Sequence, residues 1–395
     1  MTNKSILGSN VIHFIILSII YLLPLIFVDE INKGLGWNVL PQSLDIRSLK
    51  EFGMILIIPF SVICSIVRGR LNKYYKALPI LLFVFISVFI CSIEEPYEIL
   101  LCGIRWMLPF FLPIFLFGYV DGIFMKKFYN ALTIIFILHV LLQILELFVM
   151  PPYNGTTYFG LTARVPGITS HPHASAYFVC SYFLVMLGFE ENKSKKIIIS
   201  FFIILSILLS MSSTGVIAIT ILILLSANRN SHWKYILFLM PIFVFFLYTY
   251  ADVITNRKEG ASEESISGRQ DLYSNILTNT TLISNNFGYA TNGAFILSEK
   301  RNVKNKDIMF ADSFYTSFLG NMGIFYFICF ISFMIWLFLY LFLHNYLYSL
   351  LFFIFYSIFA VSDILTEVFP GNTILPIVIA YLLKNPNGES RTSLK

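Results

Sequence analysis

Residues 314–343 read FYTSFLGNMGIFYFICFISFMIWLFLYLFL, thirty positions without a charged side chain. About 20 predominantly apolar residues are enough for a helix to cross the hydrocarbon core of a bilayer, so the run reads as a transmembrane helix. Its beginning differs from the rest. Thr316, Ser317, Gly320, Asn321 and Gly323 crowd the first ten positions. Polar or irregular backbone at membrane depth is tolerated only against protein or a watery cavity. A broken or amphipathic first segment, facing something other than lipid, is therefore predicted.

The same solvent is written through the rest of the 395-residue chain, which is 57% hydrophobic and 12% charged, with 41 Phe and 22 Tyr. Soluble domains average about 25% charged residues, and the mean hydropathy here is +0.78. Outward from 314–343, apolar runs predict helices near 11–28, 52–67, 77–93, 99–120, 131–150, 173–189, 197–211, 215–227, 235–253, 345–363 and 371–384. The run 11–28 has no small-residue cleavage site and is long enough to span, so it reads as a helix and not a cleaved leader. The five cysteines, Cys64, Cys91, Cys102, Cys180 and Cys329, lie in or beside these runs without CxxC or zinc spacing. They read as small buried hydrophobes.

Charge then sets sidedness. Lys4, then Arg68, Arg70, Lys73 and Lys76, then Lys126 and Lys127 mark one set of loops, continued by Lys193, Lys195, Lys196, Arg229, Lys234, Lys384, Arg391 and Lys395. The short loops between them are acidic or neutral, as at Glu94, Glu95 and Glu98, and 29–51 is mixed. Cytoplasmic loops carry the excess of Lys and Arg. The expected fold is thus an all-α polytopic membrane protein of about twelve transmembrane helices, N-in and C-in. It forms a single integral membrane domain over 1–395, with a large outward loop at 254–312 before the tenth helix. The net charge of +5 belongs to this topology and not to a nucleic-acid partner.

The stretch 197–227 admits one long helix or two short ones meeting at Ser212-Ser213-Thr214-Gly215. Cations flank both ends, which favours two passes. Each would be only about 22 Å long at 1.5 Å per residue, so the turn must sit recessed in the bundle. No internal repeat is visible, which counts against many transporter folds.

No P-loop, GxGxxG, HExxH or GxSxG occurs. The outward segments offer arginines instead. Arg164, in Ala163-Arg164-Val165-Pro166-Gly167, and Arg269, in Gly268-Arg269-Gln270-Asp271, suit an anionic ligand that a planar guanidinium binds bidentately. They suit equally a lipid headgroup or plain solvation. Arg105 lies inside an apolar helix and must face the bundle interior or find a partner. A structural pair with an internal carboxylate such as Glu146 and a ligand contact both fit. His171-Pro172-His173 has alternating spacing without further metal donors nearby, and Pro172 suits a helix start, which favours capping over a metal site. Asp312 reads as an N-cap or as a general base.

Together these residues resemble the bacterial polysaccharide polymerases (Wzy) and O-antigen ligases (WaaL). Arg164-Val165-Pro166-Gly167 with Ser170-His171-Pro172-His173 looks like the family's Arg-x-x-Gly followed by Asn-Pro-Asn. Ser212-Ser213-Thr214-Gly215 is similar to its Ser-Arg-x-Gly turn, with Ser213 in place of the arginine. Gly268-Arg269, Tyr273 and Asn286-Phe287-Gly288-Tyr289 are similar to the large-loop pattern. Asp312-Ser313, nine residues, then Gly323-Ile324-Phe325-Tyr326 resembles His-[Asn/Ser/Gln]-x9-Gly-x-x-[Gly/Thr/Tyr], with Asp where ligases have His.

The resemblance, over roughly 100–345, implies a glycosyl transfer that needs no metal and no other cofactor, at the outer face of the cytoplasmic (inner) membrane. The donor would be an undecaprenyl-diphosphate-linked oligosaccharide, the acceptor a sugar hydroxyl of a second unit, and the product O-antigen, capsule or exopolysaccharide. A flippase and a chain-length regulator are the protein partners it suggests. Arg164 and Arg269 would hold the leaving diphosphate, and Asp312 would take the acceptor's proton. Arg105, His171, His173, Ser212, Ser213, Tyr273 and Ser313 would contact substrate. An O-antigen ligase shares the fold and donor. A flippase or other transporter is the alternative of another class.

Overall fold

The computed structural model describes residues 10–22, 24, 46–67, 78–91, 97–149, 157–158, 161–162, 165–169, 171–227, 273–274, 276–284, 286–291, 294, 313–343, 347–362, 364–365, 367–368 and 370–384. Over these the chain is helical apart from one small pairing. The helices are α1 (Asn10–Leu22), α2 (Ile46–Val67), α3 (Leu78–Cys91), α4 (Tyr97–Leu116) and α5 (Gly122–Val149). They continue with α6 (Pro172–Phe189), α7 (Lys193–Ser210), α8 (Ser213–Ala227), α9 (Phe314–Leu343), α10 (Leu347–Ser362) and α11 (Gly371–Lys384). Between α5 and α6, β1 (Thr157–Tyr158) pairs antiparallel with β2 (Leu161–Thr162), Thr157 opposite Thr162.

Among the described residues, five helices are long and apolar enough to cross a membrane: Leu49–Val67, Tyr97–Leu116, Gly122–Leu147, Pro172–Phe189 and Phe314–Leu343. This is a polytopic membrane protein. Each helix expected from hydropathy has its counterpart, except that 235–253 lies outside the described residues, as does most of the loop 254–312.

Two helices, α5 and α7, begin several residues before their apolar runs do, and capping is the reason. Asp121 Oδ1 accepts the Phe124 N–H at 2.8 Å, so α5 opens at Gly122, not near 131, and Lys126 and Lys127 ride on its first turns. Asn192 Oδ1 accepts from Ser194 and Lys195, which places Lys193, Lys195 and Lys196 in α7. A cap fixes where the backbone turns helical. Hydropathy marks only the part that meets lipid.

The chain divides into two compact units. The first comprises Met1–Leu81, Leu108–Val216 and Val368–Lys395. Its centre is α6, buried on every side from Pro172 to Met186 except at half-buried His173, because α5, α7 and α11 all pack on it. Small residues let them close in. A Cβ at Gly215 would lie 2.5 Å from that of Ala176, and one at Gly371 would overlap the Tyr177 ring. Tyr182 stacks on Phe136 at 4.5 Å and donates to Thr133 at 3.0 Å. At the α4–α5 corner, the Tyr119 hydroxyl donates to Ser61 O at 2.9 Å, and His13 Nε2 lies 2.8 Å from Tyr119 O.

The second unit comprises Leu82–Met107 and Ile217–Glu367. Its axis is α9, which breaks where it was expected to. Gly323 has φ 86° and ψ 174°, and the carbonyl of the preceding residue, Met322, is met by the Ser284 N–H at 3.3 Å. Before the break, Phe314 and Ser317 to Gly323 are buried, with Trp106 stacked over Phe314 at 5.9 Å. After it, Ile328, Phe333, Ile335, Trp336 and Leu339 are each at least half exposed, as a lipid-facing helix requires.

Candidate functional site

Three polar side chains interrupt the apolar face of α5: His139, Gln143 and Glu146. Spacings of four and three put them on one stripe, and all three are buried, at 0%, 0% and 6% exposure. Burying such groups costs several kcal/mol unless they are hydrogen-bonded, and here the partners belong to the segment Val165–Thr169. Glu146 Oε2 accepts the Gly167 N–H at 2.9 Å, and His139 Nδ1 accepts the Ile168 N–H at 3.3 Å. Gln143 Nε2 reaches Val165 O at 3.1 Å, Ser175 Oγ at 3.2 Å and Ser206 O at 3.3 Å. Ser206 Oγ returns a bond to Gln143 Oε1 at 2.6 Å, and Ser175 Oγ lies 3.1 Å from His139 Nε2. One stripe thus ties a loop to the starts and ends of α6 and α7.

The loop is shaped to fit. Gly167 has φ +62°, and a Cβ there would stand 2.6 Å from His139 Nδ1. Only glycine meets both demands without strain. Val165 N–H donates to Leu209 O at 3.1 Å, and Thr169 Oγ1 donates to Pro166 O at 2.7 Å. His171 then caps α6, its Nδ1 accepting the Ala174 N–H at 3.2 Å, with Pro172 in the first helical position. Capping is thus a role His171 does fill. Among the described residues no three His, Cys, Asp or Glu side chains gather as a metal site would need.

His173, the second residue of α6, is half-buried, and its Nδ1 lies 3.1 Å from Ser212 Oγ. Ser212 is buried in the turn between α7 and α8, after Met211 in the left-handed region at φ 49°. Its Oγ also accepts the Gly215 N–H at 3.2 Å, which caps α8. The two-helix reading of 197–227 therefore holds, and its turn is closed in by α6. The motif at α6's start and the Ser212 turn, apart in sequence, meet through this one contact.

Within the second unit a single amide does comparable work. Asn321 Oδ1 accepts from Gly288 N–H at 2.9 Å and Ala290 N–H at 3.1 Å, while Nδ2 donates to Ala290 O at 3.2 Å. Ser317 Oγ donates to the same carbonyl. Gly288, at φ +99°, has no room for a Cβ against Ile99 O. The end of the large loop is thereby pinned to the buried half of α9. That helix is capped by Ser313, whose Oγ accepts the Thr316 N–H at 3.2 Å while Thr316 Oγ1 accepts the Ser313 N–H at 3.3 Å. The capping bond weighed for Asp312 is thus made by Ser313.

Of the remaining expected site residues, Arg105 is half-buried on α4, Tyr273 is half-buried in a short helical piece, and Ser213 opens α8. Arg164, Arg269 and Asp312 lie outside the described residues, although their neighbours Val165 and Ser313 lie within them. Glu146, weighed as a partner for Arg105, is the acceptor for Gly167. His139, Gln143, Ser175 and Ser206 were missed from sequence, and Asn321 was singled out only as part of the broken segment. The signal for the first two was present: polar residues at positions 139, 143 and 146 of a helix otherwise apolar from 134 onward. The chain matches no protein-family model, no curated protein and no solved structure.

Proposed function

We propose that this membrane protein polymerises lipid-linked oligosaccharide repeat units. It would do so as a twelve-helix, N-in and C-in protein of the cytoplasmic membrane, working at the outer face. The observation that carries the proposal is the His173–Ser212 contact at 3.1 Å. It joins two of the motifs on which the resemblance to polysaccharide polymerases rests, and a chance pair of degenerate motifs has no reason to meet. The break at Gly323, at the position the Asp312-Ser313 motif reserves for glycine, supports it further.

In the proposed reaction the bond between the sugar's anomeric carbon and the diphosphate oxygen breaks. A new bond forms from that carbon to a hydroxyl of the acceptor unit. The diphosphate leaves with its negative charge, which Arg164 and Arg269 hold as it develops. The acceptor's proton passes to Asp312. His173 and Ser212 line the donor's approach.

The test is chain growth by the purified protein in liposomes, supplied with undecaprenyl-diphosphate repeat units and no added metal. A ladder of products is expected. Arg269→Ala and Asp312→Ala should each abolish it while membrane insertion stays normal. No growth by the wild-type chain, under conditions where a known polymerase works, would sink the proposal.

A further inference from the structure

We infer that Glu146 is a positioning residue for the outward loop that carries Arg164, acting with His139 and Gln143 through the backbone of Val165–Thr169. This rests on the polymerase reading for the identity of the ligand but not for the clamp itself. The observations are geometric. Four of the loop's backbone groups are bound from within the bundle: Val165 N–H by Leu209 O, Val165 C=O by Gln143, Gly167 N–H by Glu146 and Ile168 N–H by His139. The Glu146 carboxyl oxygen accepts the Gly167 N–H in a buried site, where losing the acceptor would strand that donor. The stripe's own polar groups find their partners in this loop and in Ser175 and Ser206.

A helix that only needed to span would place apolar residues at these positions, since each polar group is a liability in a membrane interior. Loops meant to move are held by few buried hydrogen bonds, and this loop is held by many. Arg164 immediately precedes Val165, and both hydrogen-bonding groups of Val165 are fixed. A guanidinium reaching for a diphosphate gains affinity when its backbone is held beforehand, because less order must then be imposed on binding. Glu146 therefore acts on the ligand through the loop, without touching it.

Two measurements test this. The first needs no ligand. A cysteine replacing buried Ile168 should react slowly with a maleimide in the detergent-solubilised chain, scored against the same chain without it. Adding Glu146→Leu, which removes the acceptor but suits a membrane helix, should speed labelling about tenfold, the worth of one buried donor left without its acceptor. Glu146→Gln, which keeps a carbonyl acceptor, should leave it slow. Fast labelling without Glu146→Leu, or slow labelling with it, overturns the clamp.

The second is affinity for undecaprenyl diphosphate in nanodiscs. Glu146→Leu and Gly167→Ala should each weaken binding about tenfold, with Glu146→Gln close to wild type. Added to Arg164→Ala, Glu146→Leu should cost nothing more, whereas a general loss of structure would add to it. Unchanged affinity in Glu146→Leu, with Arg164→Ala impaired, overturns the positioning role and leaves the polymerase reading standing. No binding by the wild-type chain overturns that reading and the positioning role built on it, and the labelling result then stands by itself.

Discussion

Asn321 has every hydrogen-bonding atom of its amide engaged on the 288–290 backbone or on Ser317, in a site where no water reaches it. Its value lies in what its loss would strand. Asn321→Leu fills nearly the same volume but leaves the Gly288 and Ala290 N–H groups buried without an acceptor, while Ala290 O keeps its bond from Ser317. At roughly 1–3 kcal/mol for each stranded donor, the variant should lose about 2–6 kcal/mol. Asn321→Asp, held protonated by the cost of burying its charge, keeps the acceptor and one of the two donors, so it should fall between the two. Unfolding in mixed detergent micelles reads the order directly. Equal stability of all three chains would show that the segment 288–290 is held by something other than this amide.

Helix ends tell a different story from helix middles. Ser313→Ala removes the oxygen that accepts the Thr316 N–H, and a lost cap of this kind costs about 1 kcal/mol. The lowered unfolding midpoint should recover in Ser313→Asp. At the α6–α7 turn, burial pushes the Glu190 carboxyl upward, but the Asn192 N–H, the Tyr129 hydroxyl and nearby Lys195 outweigh it and hold it below the usual range. A carboxylate with a depressed folded value adds stability above its unfolded value, near the ordinary 4.3 for Glu. That stability is lost as pH falls through the folded value. Wild type should therefore exceed Glu190→Gln in stability at neutral pH and lose that margin below about pH 4. A margin independent of pH would remove the charge from the account.

These ends were the part least legible in sequence. Lys126 reads as a loop residue by hydropathy, yet Asp121, five residues earlier, starts the helix that contains it. The helices themselves were legible, because lipid enforces long apolar runs that no other solvent rewards. The break in α9 was legible too, since Gly320, Asn321 and Gly323 have no place on a lipid-facing surface. The clamp on Val165–Thr169 was not. His139, Gln143 and Glu146 stand out as polar, but nothing in their spacing says which backbone they hold. A carboxylate in an apolar helix suggests a cation as partner, and here the partner is a glycine N–H.

At the scale of the bundle, sidedness is written in contacts as well as in composition. Lys126, at the start of α5, lies 3.6 Å from Glu191 in the α6–α7 turn, and Lys384, ending α11, donates to Val120 O at 3.0 Å. The exposed Lys126–Glu191 pair contributes little stability, but it shows that these lysine-bearing ends share one side of the first unit. The opposite ends of α5, α6 and α7 hold Gly167, His171 and Ser212. If Lys and Arg mark the cytoplasm, those three residues lie at the outer side, where the proposed reaction would meet its lipid-linked acceptor. A cysteine replacing Glu191 should then react with a membrane-impermeant maleimide only after cells are opened. One replacing Asn154, in the segment joining α5 to α6, should react in intact cells. The reverse pattern would put the lysines outside and the His173–Ser212 contact in the cytoplasm, away from any substrate that has already been flipped. It would remove the outward-facing polymerase with one measurement, whatever the residues at the site can do chemically.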